Sequence, residues 1–559
     1  MVCSERKAAS EKQSKVISLS QLDYRKSDCP IQDGSCNLCQ EILTVEQNIE
    51  KAIAGLKKLL SRQQHLKTQI NHTHSPIIRQ LPVELLSKIF YLCFSDEMRR
   101  DDGGPIYADF YLPLNFGAVC HTWRQVAWSS PELWTIIRLK RHYRSASYAC
   151  NQYIVMKEWV SRSGALPLYV TLSEFTAESA NVGRVAEGCH CWELSLELLA
   201  QCSHRWKDAY LDLSGASFEY IARKVKPKPP TRMLTLASKD MAWTNVHDSS
   251  EALQLWPNSE FEYGPYHLTM RYPVQLGHFS VDWKHVTHVT ADGWLLEECA
   301  RLLKNTPQLV SCSFREIGDF GEESQSSEVG WPPAARHVHT SLRYLVFHSE
   351  VYAAAFFDSV ALPSLEELHY SNDCWREEMD NPFLIPFFIQ SGFALKNLSL
   401  DAYTFTPLYL ISVLSWVPSV TQLLLYFTDC SPGTEDREMM VSLFMHLAKT
   451  AKTTTSSSRD TGSHVDNFLP RLEVLELSDW RLDFPWTFVP DIFGYPPQLG
   501  TEGRRPLKSL ILDIWKPLPV QDGLPGDVVS RLVTLQEAGV NISYRIMSSE
   551  LAPVTWASR

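Results

Sequence analysis

The sequence lacks the long apolar runs that membrane-spanning helices need. Its best candidate, Leu410 to Phe427, is interrupted by Ser412, Ser415 and Pro418. No apolar core of a secretory signal follows Met1. A composition of 44% hydrophobic and 21% charged residues excludes wholesale disorder and collagen-like repeats. We therefore expect a folded intracellular protein of the cytoplasm, the nucleus or both.

The sequence also lacks an excess of positive charge and a regular cysteine framework. Its net charge of -11 gives no general attraction to a phosphate backbone, so we expect neither a nucleic-acid partner nor a membrane. Fourteen cysteines at irregular spacings in 559 residues do not form a disulfide scaffold. This pattern favours a reducing compartment.

The motifs of common enzyme chemistries are absent. The chain contains no G-x-S-x-G, H-E-x-x-H, G-x-x-x-x-G-K-[ST] or G-x-G-x-x-G segment. Cys29, Cys36 and Cys39 cluster without a fourth ligand at a conventional spacing for zinc. The sequence therefore predicts a protein that is not an enzyme, with no catalytic residue, no cofactor and no metal.

The first 75 residues divide into two segments. Residues 1–40 are polar and poor in large apolar groups, which predicts a disordered tail. Residues 41–75 repeat apolar or small side chains at alternating spacings of three and four, which predicts an amphipathic or coiled-coil helix. Two interpretations stay open, a surface helix packed on its own protein and a coiled coil that forms a homodimer through residues 41–70.

Residues 76–140 contain three helix signals. The first is Pro82 at a helix start, with Glu84 near the N-terminus and apolar stripes behind it. The second spaces Phe116, Val119, Cys120, Trp123 and Ala127 as one apolar face of a single helix. The third is the run from Ser130 to Trp134, an N-cap followed by a proline, which predicts a short helix whose last two side chains close the core. Residues 95–113, between the first two signals, are predicted to form an inserted surface loop.

Residues 141–559 change to short strands alternating with amphipathic runs, which predicts an α/β architecture. The template apolar-x-x-apolar-x-apolar occurs eight times, starting at Val286, Leu309, Leu342, Leu365, Leu395, Val420, Leu472 and Leu507. The starts are 23 to 35 residues apart, except for one gap of 52 that we interpret as two repeats with one unrecognised strand. The pattern predicts a curved solenoid with a parallel sheet. Residues 453–467 are predicted to form a mobile loop.

These patterns resemble two known families. The order Leu81-Pro82-x-Glu84-Leu85-Leu86, then Val119-Cys120-x-x-Trp123-Arg124, then Ser130-Pro131-x-Leu133-Trp134 resembles the F-box of fungal F-box-like proteins. The eight strand templates resemble a degenerate leucine-rich-repeat array, without the asparagine that usually follows the strand. The F-box resemblance implies a substrate-recruiting adaptor of a cullin-RING (SCF-type) ubiquitin ligase. Its F-box would dock a Skp-type linker subunit and, through it, a cullin, and its repeats would bind an unknown protein target.

The residues implied in linker binding are those of the F-box-like segment, namely Leu81, Pro82, Glu84, Leu85, Ile89, Phe90, Val119, Cys120, Trp123, Pro131, Leu133 and Trp134. For the target surface, Trp480, Trp486 and Trp515 are candidates, although tryptophan is also common in solenoid cores. The alternative is a non-catalytic scaffold, or a self-associating protein outside any ligase, in which the F-box-like segment only caps the repeats.

Overall fold

The computed structural model of the protein describes residues 37–74, 81–97, 111–141, 151–174, 190–225, 231–238, 265–271, 274, 276, 281, 283–318, 335–372, 382–427, 435–451, 468–479, 484–499, 504–514, 524–546 and 552–553. Residues 1–36 of the predicted tail and the predicted loop 453–467 lie outside these ranges. The chain divides into two compact units. The first comprises Met1–Ile89 and Leu114–Ala127, and the second comprises Phe90–Pro113 and Trp128–Arg559.

The N-terminal helix predicted for residues 41–75 is confirmed, and it is longer than predicted. Helix α1 runs without a break over Asn37–His74, through Gly55. The hydroxyls of Thr44 and Thr68 donate to the carbonyls four residues earlier, at 2.8 and 2.9 Å, so both polar side chains are satisfied within the helix. Nearly all described side chains of α1 are exposed.

Three short helices and one 3-10 turn follow. They are α2 (Val83–Glu97), α3 (Leu112–Val119), α4 (His121–Ser129) and the turn Pro131–Trp134. The inserted loop predicted for residues 95–113 is shorter at both ends, because α2 continues to Glu97 and α3 begins at Leu112. Residues 98–110 lie outside the described ranges.

A single sheet with fourteen parallel strands dominates the second unit. In their order across the sheet, the parallel strands are β1 (Ile136–Lys140), β2 (Leu168–Ser173), β3 (Trp206–Asp212), β4 (Met233–Ala237), β5 (His267–Arg271), β6 (His288–Asp292), β7 (Ser311–Ile317), β9 (Tyr344–Ser349), β11 (Glu367–Asn372), β12 (Asn397–Asp401), β13 (Gln422–Phe427), β14 (Val474–Asp479), β15 (Ser509–Ile514) and β16 (Asn541–Ile546). The two-residue strand β17 (Ala552–Pro553) adds to β16 in the antiparallel direction. Strands β8 (His337–Val338) and β10 (Val360–Ala361) form a separate parallel pair.

Helices connect most of these strands. They are α5 (Gln152–Arg162), α6 (Cys191–Gln201), α7 (Gly215–Lys224), α8 (Leu296–Asn305), α9 (Ala354–Ser359), α10 (Leu384–Ser391), α11 (Pro407–Ser415), α12 (Glu435–Lys449), α13 (Val489–Phe493) and α14 (Gly526–Glu537). Successive helices pack on each other, as α5 does on α6, and α12 on both α11 and α13. The α/β architecture with a parallel sheet is therefore confirmed, and the sheet begins at Ile136, before residue 141.

Two rows of side chains run along the helix-facing side of the sheet. Matched positions in one row include Ile137, Val170, Leu345, Leu475 and Ile542, and all of them are buried. The second row includes aromatic residues that pack against aromatic residues of the helices. The ring centre of Phe347 in β9, for example, lies 4.7 Å from that of Phe356 in α9. Burying one large apolar side chain contributes about 1.5–3 kcal/mol, so these rows form the core of the unit.

All eight strands predicted from the apolar template are present, as β6, β7, β9 and β11 to β15. The prediction of an unrecognised strand in the 52-residue gap is wrong, because β13 pairs directly with β14. Six further strands, β1 to β5 and β16, extend the sheet at both ends. Their first template position holds proline, threonine, glycine or tryptophan instead of leucine or valine, as at Pro167, Thr231 and Gly539.

A backbone ladder crosses the strand entries. The carbonyl of Glu366 accepts the amides of both Lys396 and Asn397, at 2.7 and 3.1 Å, and the carbonyl of Lys396 does the same for the next repeat. The pattern recurs from Tyr266 to Glu473. Each strand thereby satisfies the entry amides of the next strand with one backbone carbonyl.

One buried carboxyl makes the stability of the second unit pH-dependent. Burial raises the pKa of Glu298 to about 7, although the backbone of Leu295 and Leu276 and the charge of Arg301 lower it. The unfolded carboxyl titrates near 4.5, so folding takes up a proton between pH 4.5 and 7, and stability falls as the pH rises through that window. Glu298→Gln keeps an acceptor for the Leu295 amide, 3.4 Å away in the wild type.

We expect Glu298→Gln to stabilise the protein by roughly 2–3 kcal/mol at pH 8 and by little at pH 5, where the folded wild-type carboxyl is already protonated. Thermal unfolding of both proteins at the two pH values measures this. Exposed Glu350→Gln is the control and should shift neither curve. An equal gain at both pH values would contradict the assignment of the effect to Glu298 ionisation.

In the described part of the chain, no helix is both long and apolar enough to cross a membrane.

Candidate functional site

Helix α2 carries two apolar stripes. Leu86, Phe90 and Phe94, at positions i, i+4 and i+8, are buried. On the other stripe Leu85, Ile89 and Leu92, at positions i, i+4 and i+7, are 52, 41 and 50% exposed. Because residues spaced by three, four or seven share a helix face, these side chains form a continuous exposed ridge, which we call the outer stripe of α2. A helix that only packed on the core of its own chain would need a single apolar stripe.

The entry of α2 matches its sequence signals. The Leu86 amide donates to the Pro82 carbonyl at 3.1 Å, so Pro82 precedes the first residue of the helix, Val83. Proline costs nothing there, because the first helical amides have no partner in the helix. Glu84 lies in the first turn, where a carboxylate is favoured by the helix dipole. Pro82 and Glu84 are exposed, and Leu81 is half-buried.

The prediction of a single helix from Phe116 to Ala127 is wrong. This segment forms two helices, α3 and α4. The break falls at Cys120, whose Sγ accepts the Trp123 amide at 3.4 Å in the manner of a helix N-cap. The Arg124 side chain donates from Nε to the Gly117 carbonyl at 2.8 Å, which satisfies an acceptor at the end of α3. Apolar spacing alone could not show this break.

The aromatic part of this segment is only partly accessible. The ring centres of Phe116 and Trp123 are 6.4 Å apart with an edge-on angle of 73°, and both side chains are half-buried. Cys120 is also half-buried, whereas Val119 is 47% exposed. Val119 and Leu114 therefore add exposed apolar surface on α3.

Trp134 belongs to the core of the second unit. Its ring centre lies 4.6 Å from that of Trp159 and 5.5 Å from that of Trp128, both edge-on. The Arg162 guanidinium lies 5.1 Å from the Trp134 ring centre and donates to the Trp128 carbonyl at 3.4 Å. Trp134 stands three residues before Ile137, at the position where the eight predicted strands have a buried leucine or valine. It is the first core residue of the sheet.

Three of the twelve predicted linker-binding residues are buried in the structure. Phe90, Leu133 and Trp134 are 1, 1 and 2% exposed, so a partner cannot contact them without unfolding the region. Half-buried positions are Leu81, Cys120, Trp123 and Pro131, and exposed positions are Pro82, Glu84, Leu85, Ile89 and Val119. Sequence reasoning missed Leu92, although its i+7 spacing from Leu85 was the signal that could have identified it.

The side of the sheet that faces away from the helices is polar and only half-buried. Near its middle, the imidazoles of His267 and His288 stack with ring centres 4.1 Å apart. Burial, with the charges of His288 and Arg232, lowers the pKa of His267 to about 4, and burial also lowers the pKa of His288. Both rings are therefore neutral at pH 7. Further along the same side, His369 Nε2 lies 2.7 Å from a carboxylate oxygen of Glu367.

The C-terminal end of this side is acidic. Arg545 bonds to Glu476 and lies 3.6 Å from Asp513. Burial, aided by the charge of Asp513, raises the pKa of Glu476 in spite of Arg545. Burial and the nearby carboxylates also raise the pKa of Tyr426. One arginine thus partly balances several carboxylates.

Two other features limit what this side can do. Trp486 is buried, so it cannot contribute to a target surface, and Trp480 and Trp515 lie outside the described residues. A groove of about 730 Å³ lies at the strand entries, bordered by Arg343, Glu366 and Lys396. Lys396 pairs with Glu366 at 2.6 Å, so these charges largely neutralise each other. In the described ranges, no group of three or more His, Cys, Asp or Glu residues could hold a metal ion.

No protein-family model matches this sequence, and no curated protein is significantly similar to it. The fold and site thus define an α/β protein with a repetitive parallel sheet and an exposed apolar helix face. The F-box and leucine-rich-repeat resemblances remain predictions.

Proposed function

We propose that this protein is a non-catalytic substrate-recruiting adaptor of a cullin-RING ubiquitin ligase. The F-box-like helices would dock a Skp-type linker and, through it, a cullin. The parallel-sheet unit, which we interpret as a curved leucine-rich-repeat-like solenoid, would hold the protein target. The observation that carries the proposal is the outer stripe of α2, which leaves Leu85, Ile89 and Leu92 half exposed while the opposite stripe is buried.

The physical case is the cost of leaving this stripe in water. Each large side chain that a partner buries contributes about 1.5–3 kcal/mol, and contiguous apolar side chains at the centre of an interface usually dominate binding. The exposed side chains of Val119 and Leu114 add apolar surface on α3. The linker-binding surface we propose is smaller than the twelve residues first implied, because it excludes Phe90, Leu133 and Trp134.

The target surface we propose is the polar side of the sheet. It offers stacked neutral imidazoles at His267 and His288 and a carboxylate-rich end at Glu476 and Asp513. Recognition there would use hydrogen bonds and charge, and the acidic end favours targets with exposed lysine or arginine.

The test is the affinity of the full-length protein for a purified Skp-type linker, measured by isothermal titration calorimetry. We expect the double variant Leu85→Asp, Ile89→Asp to bind at least about 30-fold more weakly, because two charges would be buried against an apolar partner surface. Its unfolding curve should change little, since both positions are exposed in the free protein.

The control is Tyr91→Asp, which places one aspartate on an exposed position of α2 away from the outer stripe. It should change the affinity by less than about threefold. An equal loss of affinity in the control would show that a charge anywhere on α2 disrupts binding. A wild-type protein that does not bind the linker at roughly 50 µM would exclude the adaptor function, because weaker binding is of no interest for a specific complex.

A second candidate function is that of a non-catalytic scaffold or self-associating protein outside any ligase. The observation that favours it is the exposure of the large apolar side chains of α1, such as Leu38, Val45 and Leu59.

A further inference from the structure

Helix α1 presents a complete heptad seam to solvent. Ten positions repeat at alternating spacings of four and three, namely Leu38, Ile42, Val45, Ile49, Ala52, Leu56, Leu59, Gln63, Leu66 and Ile70. The eight large apolar side chains among them are 37 to 71% exposed. The helix therefore has a largely apolar seam about 50 Å long, at 1.5 Å per residue, whose large side chains are exposed along its length.

Such a seam is the surface on which a second helix packs. A strict four-three spacing keeps the apolar positions on one narrow line, and supercoiled helix pairs bury such lines by interlocking side chains. An isolated helix in water is only marginally stable, so α1 would gain stability from burying the seam. The distribution of charge along α1 indicates which helix packs on the seam.

The charges of α1 divide at its middle. Residues 37–54 contain Glu41, Glu46 and Glu50 with a single lysine, Lys51. Residues 55–74 contain Lys57, Lys58, Arg62 and Lys67 and no acidic residue. The net charges are thus -2 and +4 with histidines neutral. A helix with one acidic half and one basic half is complementary to a reversed copy of itself.

The residues that flank the seam disfavour the parallel arrangement. In a parallel, in-register pair each g position faces the e position five residues later on the other helix. That would place Glu41 against Glu46 of the second copy and Arg62 against Lys67 of the second copy, and both pairs repel. With the second helix reversed, the acidic half of each helix lies along the basic half of the other.

We propose that α1 forms an antiparallel two-helix coiled coil with a second copy of this chain. Reversal about residue 54 places Ile42 opposite Leu66 of the second copy and Ile49 opposite Leu59. It also places Leu56 opposite the small Ala52, so that the two fill one layer together. The proposal rests on α1 alone and does not depend on linker binding.

Sedimentation equilibrium of the full-length protein tests the proposal. We expect a dimer at micromolar concentration, weakened when salt rises from 0.1 to 0.5 M because attraction between unlike halves is screened. The charge exchange Glu41→Lys, Lys67→Glu keeps the net charge but removes the acidic excess of the first half, and it places like charges on both flanks of the antiparallel pair. It should weaken the antiparallel dimer at least tenfold. In a parallel dimer the same exchange would turn both repulsive pairs into attractive ones and tighten association.

The matched control is the exchange Glu50→Lys, Lys51→Glu, which makes the same chemical changes without altering the charge of either half. It should change the dissociation constant by less than about threefold. The seam variant Ile49→Asp, Leu59→Asp should be monomeric. Circular dichroism of each variant shows whether helix content is kept.

A wild-type monomer at 100 µM would overturn the proposal, and so would tighter association of the Glu41→Lys, Lys67→Glu variant. Linker titration of the same variants separates this result from the adaptor proposal. Loss of the dimer with unchanged linker affinity supports the coiled coil whatever the outcome of the adaptor test.

Discussion

Trp134→Ala is expected to lower the free energy of unfolding of the sheet unit by about 3–5 kcal/mol, as large-to-small substitutions of fully buried aromatic residues do. The substitution removes the edge-on contacts to Trp128 and Trp159 and the ring under the Arg162 guanidinium. A cavity at the first core position of the sheet has a neighbouring strand on one side only, because β1 pairs with β2 alone among the described strands. Urea unfolding followed by circular dichroism measures the loss.

Trp416→Ala is the control, because Trp416 is a tryptophan of the same unit that is 51% exposed. It should change the free energy of unfolding by no more than about 0.5 kcal/mol. The Trp134 variant should keep its affinity for a Skp-type linker at a temperature where it stays folded. Unchanged stability together with lost linker binding would restore Trp134 to the partner surface.

Arg505→Met is expected to destabilise the protein by about 4 kcal/mol. Arg505 is buried and donates to the carbonyls of Leu469 at 3.1 Å, Leu447 at 2.8 Å and Phe468 at 2.7 Å, and to the hydroxyl of Thr450 at 2.8 Å. Burial lowers the pKa of Arg505 to about 10, so the guanidinium is still charged at pH 7. Each buried acceptor left without a donor costs about 1–3 kcal/mol, which outweighs the easier burial of methionine.

The loss should be local, because the acceptors lie at the end of α12 and just before β14. Hydrogen exchange is expected to accelerate in Glu435–Lys449 and Val474–Asp479 and to stay unchanged in β1 to β4. Arg471→Met, at an exposed arginine of the same region, should alter neither stability nor exchange. A uniform increase in exchange across the sheet would contradict the local role of Arg505.

Much of the fold could be predicted because its repeats obey a simple rule. Where leucine or valine holds the first template position, the following strand was recognised, as at Leu342 and Leu472. Where Pro167 or Thr231 holds it, the strand is stabilised by neighbours on both sides and needs no such residue, so the local pattern failed. Tryptophan at Trp134 fits the template, but its place in the F-box-like segment concealed its role in the sheet.

The candidate site was harder to predict because helix periodicity does not say which stripe is buried. Leu85 and Leu86 belong to two apolar stripes of similar strength, and only the packed structure shows that the stripe of Leu86 is inside. The break at Cys120 depends on one sulfur acceptor and one arginine donor, which spacing cannot show. Nothing local in Arg505 marks it as buried, since its acceptors are 36 to 58 residues away in sequence.

The small strand β17 has a consequence for self-recognition through the sheet. A parallel sheet ends in an edge whose unpaired amides and carbonyls can template the strands of another molecule and start fibrous growth. At the C-terminal edge of this sheet, Ala552 and Pro553 lie against Tyr544 and Ser543 of β16. Pro553 has no amide hydrogen, and proline in an edge strand weakens pairing with a further strand, so we expect this short strand to hinder edge-to-edge polymerisation.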